Sequence, residues 1–289
     1  MSQQEAWQLA GSGPASYERY QVPSLFGPLA ELFLATISLR TGERVLDVAC
    51  GTGIVARLAV QQLGTTGLVT GVDLNPGMLE VARAHTPTSG AAVDWREGDA
   101  GALPCDDESY HVVLCQQGLQ FFPDPLQALR EMHRVLRPGG RVALCVWRSL
   151  EHNPFNQAVA AGLARYVSAE AAASIRAPFA HGDARMLRTL MADAGFYEVE
   201  IQVKVLHRRM LPPEASIPGY LASTPMAQAV AALAEEVWTA LLRDIGEALQ
   251  RYRHPEGLVI PQETHIALAS KAPIPSQTDR PSEGSTCAR

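Results

Sequence analysis

Through the middle of the chain, short apolar runs alternate with stretches whose apolar residues recur at helical spacing. Residues 44–49 (RVLDVA) form an apolar run interrupted by one acid, and the run ends in Cys50-Gly51-Thr52-Gly53. A helix is predicted over 54–63, a second strand over 67–74 and a second helix over 76–85. Pro76 suits a helix start, where the missing N–H has no intrahelical partner to lose. Further strands are predicted at 93–97, 111–115 and 141–147, and a helix at 125–135. The segment Leu136-Arg137-Pro138-Gly139-Gly140 reads as a turn that breaks this helix. Strands alternating with helices imply parallel pairing through right-handed crossovers. Continuous apolar runs are expected of strands covered on both faces. The predicted class is therefore α/β, a doubly wound and mostly parallel sheet that binds ligands at the carboxyl ends of its strands.

The flanks are less regular. The first 40 residues read as amphipathic helix around Trp7 to Leu9 and again from Leu25 to Ile37, with residues 11–24 between them as a loop or short helix. Beyond the fifth strand, helices are predicted at 158–174 and 183–194, the latter closed by Gly195, a residue suited to a left-handed helix end. Residues 197–206 and 258–269 read as strands. Pro212, Pro213 and Pro218 mark a loop, and 226–252 reads as one long helix whose weak point is Gly246. Residues 271–289, rich in Ser, Pro and Thr, read as a disordered tail.

Composition narrows the function. The 289 residues are 47% hydrophobic and 19% charged, an ordinary globular balance. The net charge of -6 gives no general attraction to a phosphate backbone, so no nucleic-acid partner is expected. No run approaches the ~18 apolar residues of a membrane span, and the N-terminus lacks the regions of a signal peptide. Cys50, Cys105, Cys115, Cys145 and Cys287 form no C-x-x-C pair and read as reduced thiols of a cytoplasmic protein, with no metal site expected.

The sharpest chemical feature is VLDVACGTG, residues 45–53, a strand running into a glycine turn and a helix. Gly51 and Gly53 permit a tight turn and a close backbone approach by a ligand. The run Gly51-x-Gly53-x-x-Ala56 also satisfies a dinucleotide fingerprint, so a nicotinamide-dependent oxidoreductase is one alternative. Asp47 weighs against it, because a carboxylate beneath the glycines would repel a pyrophosphate and suits a ligand carrying an amine and a positive centre.

At these residues the sequence resembles the class I S-adenosylmethionine-dependent methyltransferases, specifically the small-molecule group that includes the ubiquinone/menaquinone C-methyltransferases (methyltransferase type 11). The resemblance covers 41–147 in four motifs: VLDVACGTG, VTGVDLNPGML at 69–79, EGDAGALPCDDESYHVVLC at 97–115 and LRPGGRVALCVW at 136–147. It implies a Rossmann-like seven-stranded sheet with an added helical lid, and S-adenosyl-L-methionine as cofactor. The implied divisions are an N-terminal helical cap over 1–40, a cofactor-binding core over 41–150, lid helices with the last two strands over 151–270, and the tail.

The resemblance also implies site roles. Asp73 would hold the ribose hydroxyls, and Asp99 with the Ala100 amide would take the adenine amine. Leu74 and Met78 would pack on the adenine. Ala49, Gly51, Thr52 and Gly53 would border the methionine portion, with Asp47 orienting its ammonium. Gln116 and Gln117 would line the floor near the methyl group. Tyr17 and Tyr20 would close the site from the N-terminal segment. Catalytic residues stay unassigned, with His152 and His181 as candidate bases.

The expected acceptor is a small, largely apolar molecule, methylated on oxygen, with carbon or sulfur as alternatives. Phe121, Phe122, Phe155, Phe179, Tyr220 and Trp238 are candidate walls of its pocket. The N-terminal segment, 158–174 and 226–252 are expected to close over the donor methyl. A non-catalytic cofactor-binding protein is the remaining alternative, and a monomer or homodimer is expected.

Overall fold

The computed structural model describes residues 9–273, so the calls on residues 1–8, on Cys287 and on most of the tail lie outside the described residues. The strands are β1 (Arg44–Val48), β2 (Leu68–Asp73), β3 (Ala92–Glu97), β4 (Tyr110–Gln116), β5 (Leu136–Trp147), β6 (Tyr197–Met210), β7 (Arg253–His254) and β8 (Gly257–Ser270). They form one sheet in the order β3-β2-β1-β4-β5-β8-β6, with the two-residue β7 pairing only to β8. Pairings from β3 through β5 are parallel, and β8 runs antiparallel to both β5 and β6. The predicted mostly parallel, doubly wound sheet is what the chain forms, with β7 as a short extra strand.

The helices are α1 (Gly13–Ser16), α2 (Gly27–Leu34), α3 (Ile54–Leu63), α4 (Pro76–Ala84), α5 (Pro125–Val135), α6 (Pro154–Tyr166), α7 (Ala169–Arg176), α8 (Ala184–Asp193), α9 (Pro213–Ala222), α10 (Ala227–Ala231) and α11 (Glu235–Ala248). One layer buries Leu129 and Met132 of α5 and Leu187 and Met191 of α8 with Leu46, Val113 and Leu144 of the sheet. A second buries Leu29 and Phe33 of α2 and Val55 and Ala59 of α3 with Val45, Val112 and Ala143. Each such leucine contributes roughly 1.5–3 kcal/mol relative to exposure. A third cluster joins α6, α7, α9 and α11 through Phe155, Leu163, Ile175, Ile217, Leu241 and Ile245.

Four local expectations need correction. Residues 17–26, spanning the end of the expected loop or short helix and the start of the helix expected from Leu25, form a π-helix, Tyr17–Phe26, with Pro23 inside it. Pro23 has no N–H to give, and the Gly27 N–H closes the wider ring onto the Val22 carbonyl. The turn expected at 136–140 is already part of β5: Leu136 pairs with Tyr110, and a register shift between Tyr110 and Val112 absorbs the irregularity. The proline-marked loop is instead the start and body of α9, with Pro213 in its first turn and Pro218 inside it. The long helix of 226–252 is broken at 232–234 rather than at Gly246, which is buried within α11.

Candidate functional site

β1 delivers Asp47 beneath the glycine turn. After Val48 the backbone takes positive φ at Ala49 (56°), Gly51 (56°) and Gly53 (83°). Gly53 has a packing reason as well as a conformational one, since a Cβ there would stand 2.3 Å from Cη2 of Trp95. Above Gly51 a Cβ would meet nothing within 4 Å, so the turn presents an open cradle. Asp47 is buried, and its Oδ2 accepts from the Ala56 N–H at 3.1 Å. Burial pushes the Asp47 carboxyl up to about 8, against the Ala56 hydrogen bond and with a further push from Asp73. The Oγ1 of Thr52 is buried without a partner.

β2 ends at Asp73, whose carboxylate spans two backbone donors. Oδ2 accepts from the Gly51 N–H at 2.7 Å and Oδ1 from the Asn75 N–H at 2.9 Å. Burial raises its pKa, opposed by those hydrogen bonds. Each oxygen keeps a further lone pair. Asn75 caps α4, and its Nδ2 holds the Leu9 carbonyl at 2.9 Å, tying the N-terminal segment to this edge.

A cavity open to solvent lies over these strand ends. Its wall at the ends of β1, β2 and β4 includes Ala49, Gly51, Asp73, Leu74, Met78, Ala100, Gln116 and Gln117, all named from the sequence as site residues. Tyr17 lines it too, stacked on Phe26 at 5.0 Å. The aromatic row continues from Phe26 to Trp147 and on to Phe179. Burial and the nearby Asp73 raise the Tyr17 pKa, so its hydroxyl stays protonated at neutral pH.

Other predicted residues stand apart from the wall. Asp47, Thr52 and Gly53 lie behind it, and Asp99 sits exposed at the rim with Oδ1 accepting from the Gly101 N–H. Tyr20 is exposed, beneath Arg19 and against Gly219, and does not line the cavity. The two glutamines differ. Gln117 spends its amide on Cys145, Thr264 and Gln120, whereas Gln116 leaves Oε1 buried and unpartnered.

Of the predicted aromatic walls, Phe121, Phe122, Phe179 and Tyr220 line the cavity, and Phe155 and Trp238 do not. His152 and His181 are not wall residues either; His152 lies near Glu151 and Glu263. The expected lid is corrected in two parts. The 9–26 segment supplies wall residues, but 158–174 supplies none, the wall taking Asn156 of α6 and Ile175 of α7 from just outside it, and α11 packs behind α6, with Leu241 and Ile245 against Gly162. The sequence reading missed Gln21, Phe26, Trp147, Asn156, Ser223 and Gln262 on the wall. Only Trp147, at the end of a predicted strand, carried a positional signal.

The sheet order and the glycine turn after β1 are those of the Rossmann-like methyltransferase fold. Residues 46–144 match the methyltransferase domain family. Over 109 residues the chain is 42% identical to a demethylmenaquinone methyltransferase of Staphylococcus epidermidis, covering 38% of this chain and 45% of that protein. Over 111 residues it is 42% identical to a ubiquinone/menaquinone biosynthesis C-methyltransferase of Xanthomonas campestris pv. campestris, covering 38% and 44%. The chain thus spans less than half the length of these curated relatives. A Haloferax volcanii protein solved with the Trm112 methyltransferase activator matches at a TM-score of 0.57 and 20% identity, over 95% of this chain and 99% of that one; it shares the fold.

Proposed function

We propose that the protein transfers a methyl group from S-adenosyl-L-methionine to a small acceptor held in the same cavity. The observation that carries this reading is the Asp73 carboxylate, fixed by the Gly51 and Asn75 amides at the edge of an open glycine cradle. The residues suit the cofactor. Asp73 has lone pairs for both ribose hydroxyls, a charge-assisted pairing. Leu74, Met78 and the Gly98–Ala100 backbone offer an apolar slot for adenine, with Asp99 at its rim for the exocyclic amine. Asp47 supplies a negative group for the ammonium, through the Gly51-Thr52-Gly53 turn. When bound, the cofactor supplies an electrophilic methyl on a sulfonium that is already a good leaving group.

This chain then has to align the acceptor and exclude water, and alignment alone is worth much of such a barrier. The row Tyr17, Phe26, Trp147 and Phe179 provides flat apolar surfaces for a ring. Gln116 Oε1 is a free acceptor at the floor. Among the described residues no histidine, lysine or glutamate lines the cavity. That favours an acceptor that is nucleophilic on arrival, either an electron-rich ring carbon or an oxygen already ionised. Carbon transfer accords with the Xanthomonas relative's description as a C-methyltransferase. Turnover with labelled donor on a panel of hydroquinones, phenols and aromatic carboxylates, with the product's methyl position read by NMR, tests this. No turnover on any class, with intact cofactor binding, would favour a non-catalytic binding protein.

A further inference from the structure

Arg208, near the end of β6, is 2% exposed, and among the described residues no carboxylate pairs with it. Its Nη2 donates to Ser24 Oγ at 3.0 Å and to Gln21 Oε1 at 3.3 Å. Its Nε and Nη1 are buried with no partner. The guanidinium lies 4.8 Å from the Phe155 ring centroid and 5.7 Å from that of Tyr220. A buried cation is ordinarily matched by a negative group, because its desolvation is otherwise uncompensated. Here burial lowers the Arg208 pKa only to about 10, so the charge persists at neutral pH.

The cavity wall lies one side chain away, since Gln21 and Tyr220 touch Arg208 and line the cavity. Tyr220 adds a second observation. Its hydroxyl accepts from Asn156 Nδ2 at 2.9 Å, and Asn156 Oδ1 in turn accepts from Gln262 Nε2 at 3.0 Å, which leaves Asn156 a donor toward Tyr220. The phenolic proton is thereby left uncommitted, and burial raises the Tyr220 pKa to about 12, keeping that proton in place. Among the described residues this end of the cavity wall holds no acid; the only wall carboxylate among them is Asp73, at the opposite end by β2.

We propose that the acceptor carries an anionic group, most simply a carboxylate, that accepts the Tyr220 hydroxyl proton as a hydrogen bond and supplies the missing counter-charge to Arg208. This deepens the methyl-transfer reading and rests on it. The acceptor is then an amphiphile: an apolar ring beside Phe26, Trp147 and Phe179, and an acidic end against α9. Arg208 is a positioning residue that acts through Tyr220 and Gln21, with no part in the transfer itself.

The test uses the full chain saturated with S-adenosylhomocysteine. Benzoate, 2-naphthoate and 3-phenylpropanoate, plain and hydroxylated, are titrated calorimetrically beside their primary amides. At least one carboxylate is expected to bind roughly tenfold or more tightly than its amide, the scale of hydrogen bonding to a charged group. Arg208→Met should abolish that preference, Arg208→Lys should keep part of it and Tyr220→Phe should reduce it, with S-adenosylhomocysteine affinity unchanged in all three. Should Arg208→Met not fold, Tyr220→Phe decides. The proposal is overturned if no carboxylate outbinds its amide, if the preference survives in Arg208→Met or is undiminished in Tyr220→Phe, or if the substitutions weaken S-adenosylhomocysteine instead. Failure of the native protein to bind S-adenosylhomocysteine, registered in the first titration, would instead overturn the cofactor reading itself.

Discussion

The Gly51 N–H donates to Asp73 Oδ2 at 2.7 Å, joining the turn after β1 to the end of β2 across the sheet edge. The bond fixes a carboxylate where a ribose diol would lie and needs no side chain at position 51. Asp73→Ala should weaken S-adenosylhomocysteine by about 1.5–3 kcal/mol, and Asp73→Asn by less, since one acceptor oxygen survives. Calorimetric dissociation constants check this, with unfolding midpoints to confirm an intact fold. Unchanged affinity in Asp73→Ala would place the ribose elsewhere.

With Asp47 facing the cofactor ammonium, as proposed, cofactor binding would be pH-linked. Its folded pKa of about 8 stands above the usual carboxylate value. Its contribution to the stability of the free protein is therefore full at acid pH and is lost as pH rises through about 8. At pH 7 the carboxyl is mostly protonated, and an ammonium placed nearby favours its ionisation. Binding of S-adenosylhomocysteine at pH 7 should release close to one proton, and almost none at pH 9.5. Titrations in buffers of different ionisation enthalpy measure this, with Asp47→Asn as the control that removes the release.

Trp95 on β3 lies across both Gly53 and Gly71, where added Cβ atoms would stand 2.3 and 2.4 Å from its ring. Gly53→Ala combines left-handed backbone strain with overpacking and should cost about 2–4 kcal/mol. Urea unfolding reads this directly. Equal midpoints for Gly53→Ala and the native protein would show that the turn relaxes freely.

Among the described residues no cluster of three or more His, Cys, Asp or Glu is arranged to hold a metal. Turnover on an acceptor found by the panel should persist in EDTA. Loss of turnover that magnesium restores would show that a cation positions the acceptor.

The strands and helices over 44–147 were legible because β1, β2 and β4 are buried on both faces and each helix on one, so the hydrophobic pattern records the packing directly; β3, at the sheet edge, is only partly covered. The glycine turn and Asp73 were legible for a related reason, since a tight turn admits few residues and a strand-end acid is conspicuous. The acceptor end was not. The π-helix at Tyr17–Phe26 has no sequence period of its own, and Pro213 and Pro218 mask α9 because proline signals a break in most helices. Arg208 sits in the segment His207-Arg208-Arg209-Met210, which reads as an exposed charged strand end. Its burial depends on Phe155 and Tyr220 arriving from distant helices.

The central claim is the identity of the molecule that occupies the glycine cradle. It is tested most directly by calorimetric titration of the purified chain with S-adenosylhomocysteine and, separately, with NAD. Saturable binding of S-adenosylhomocysteine at a stoichiometry near one, with no heat from NAD, is the predicted result. Saturable binding of NAD with none of S-adenosylhomocysteine would contradict the account.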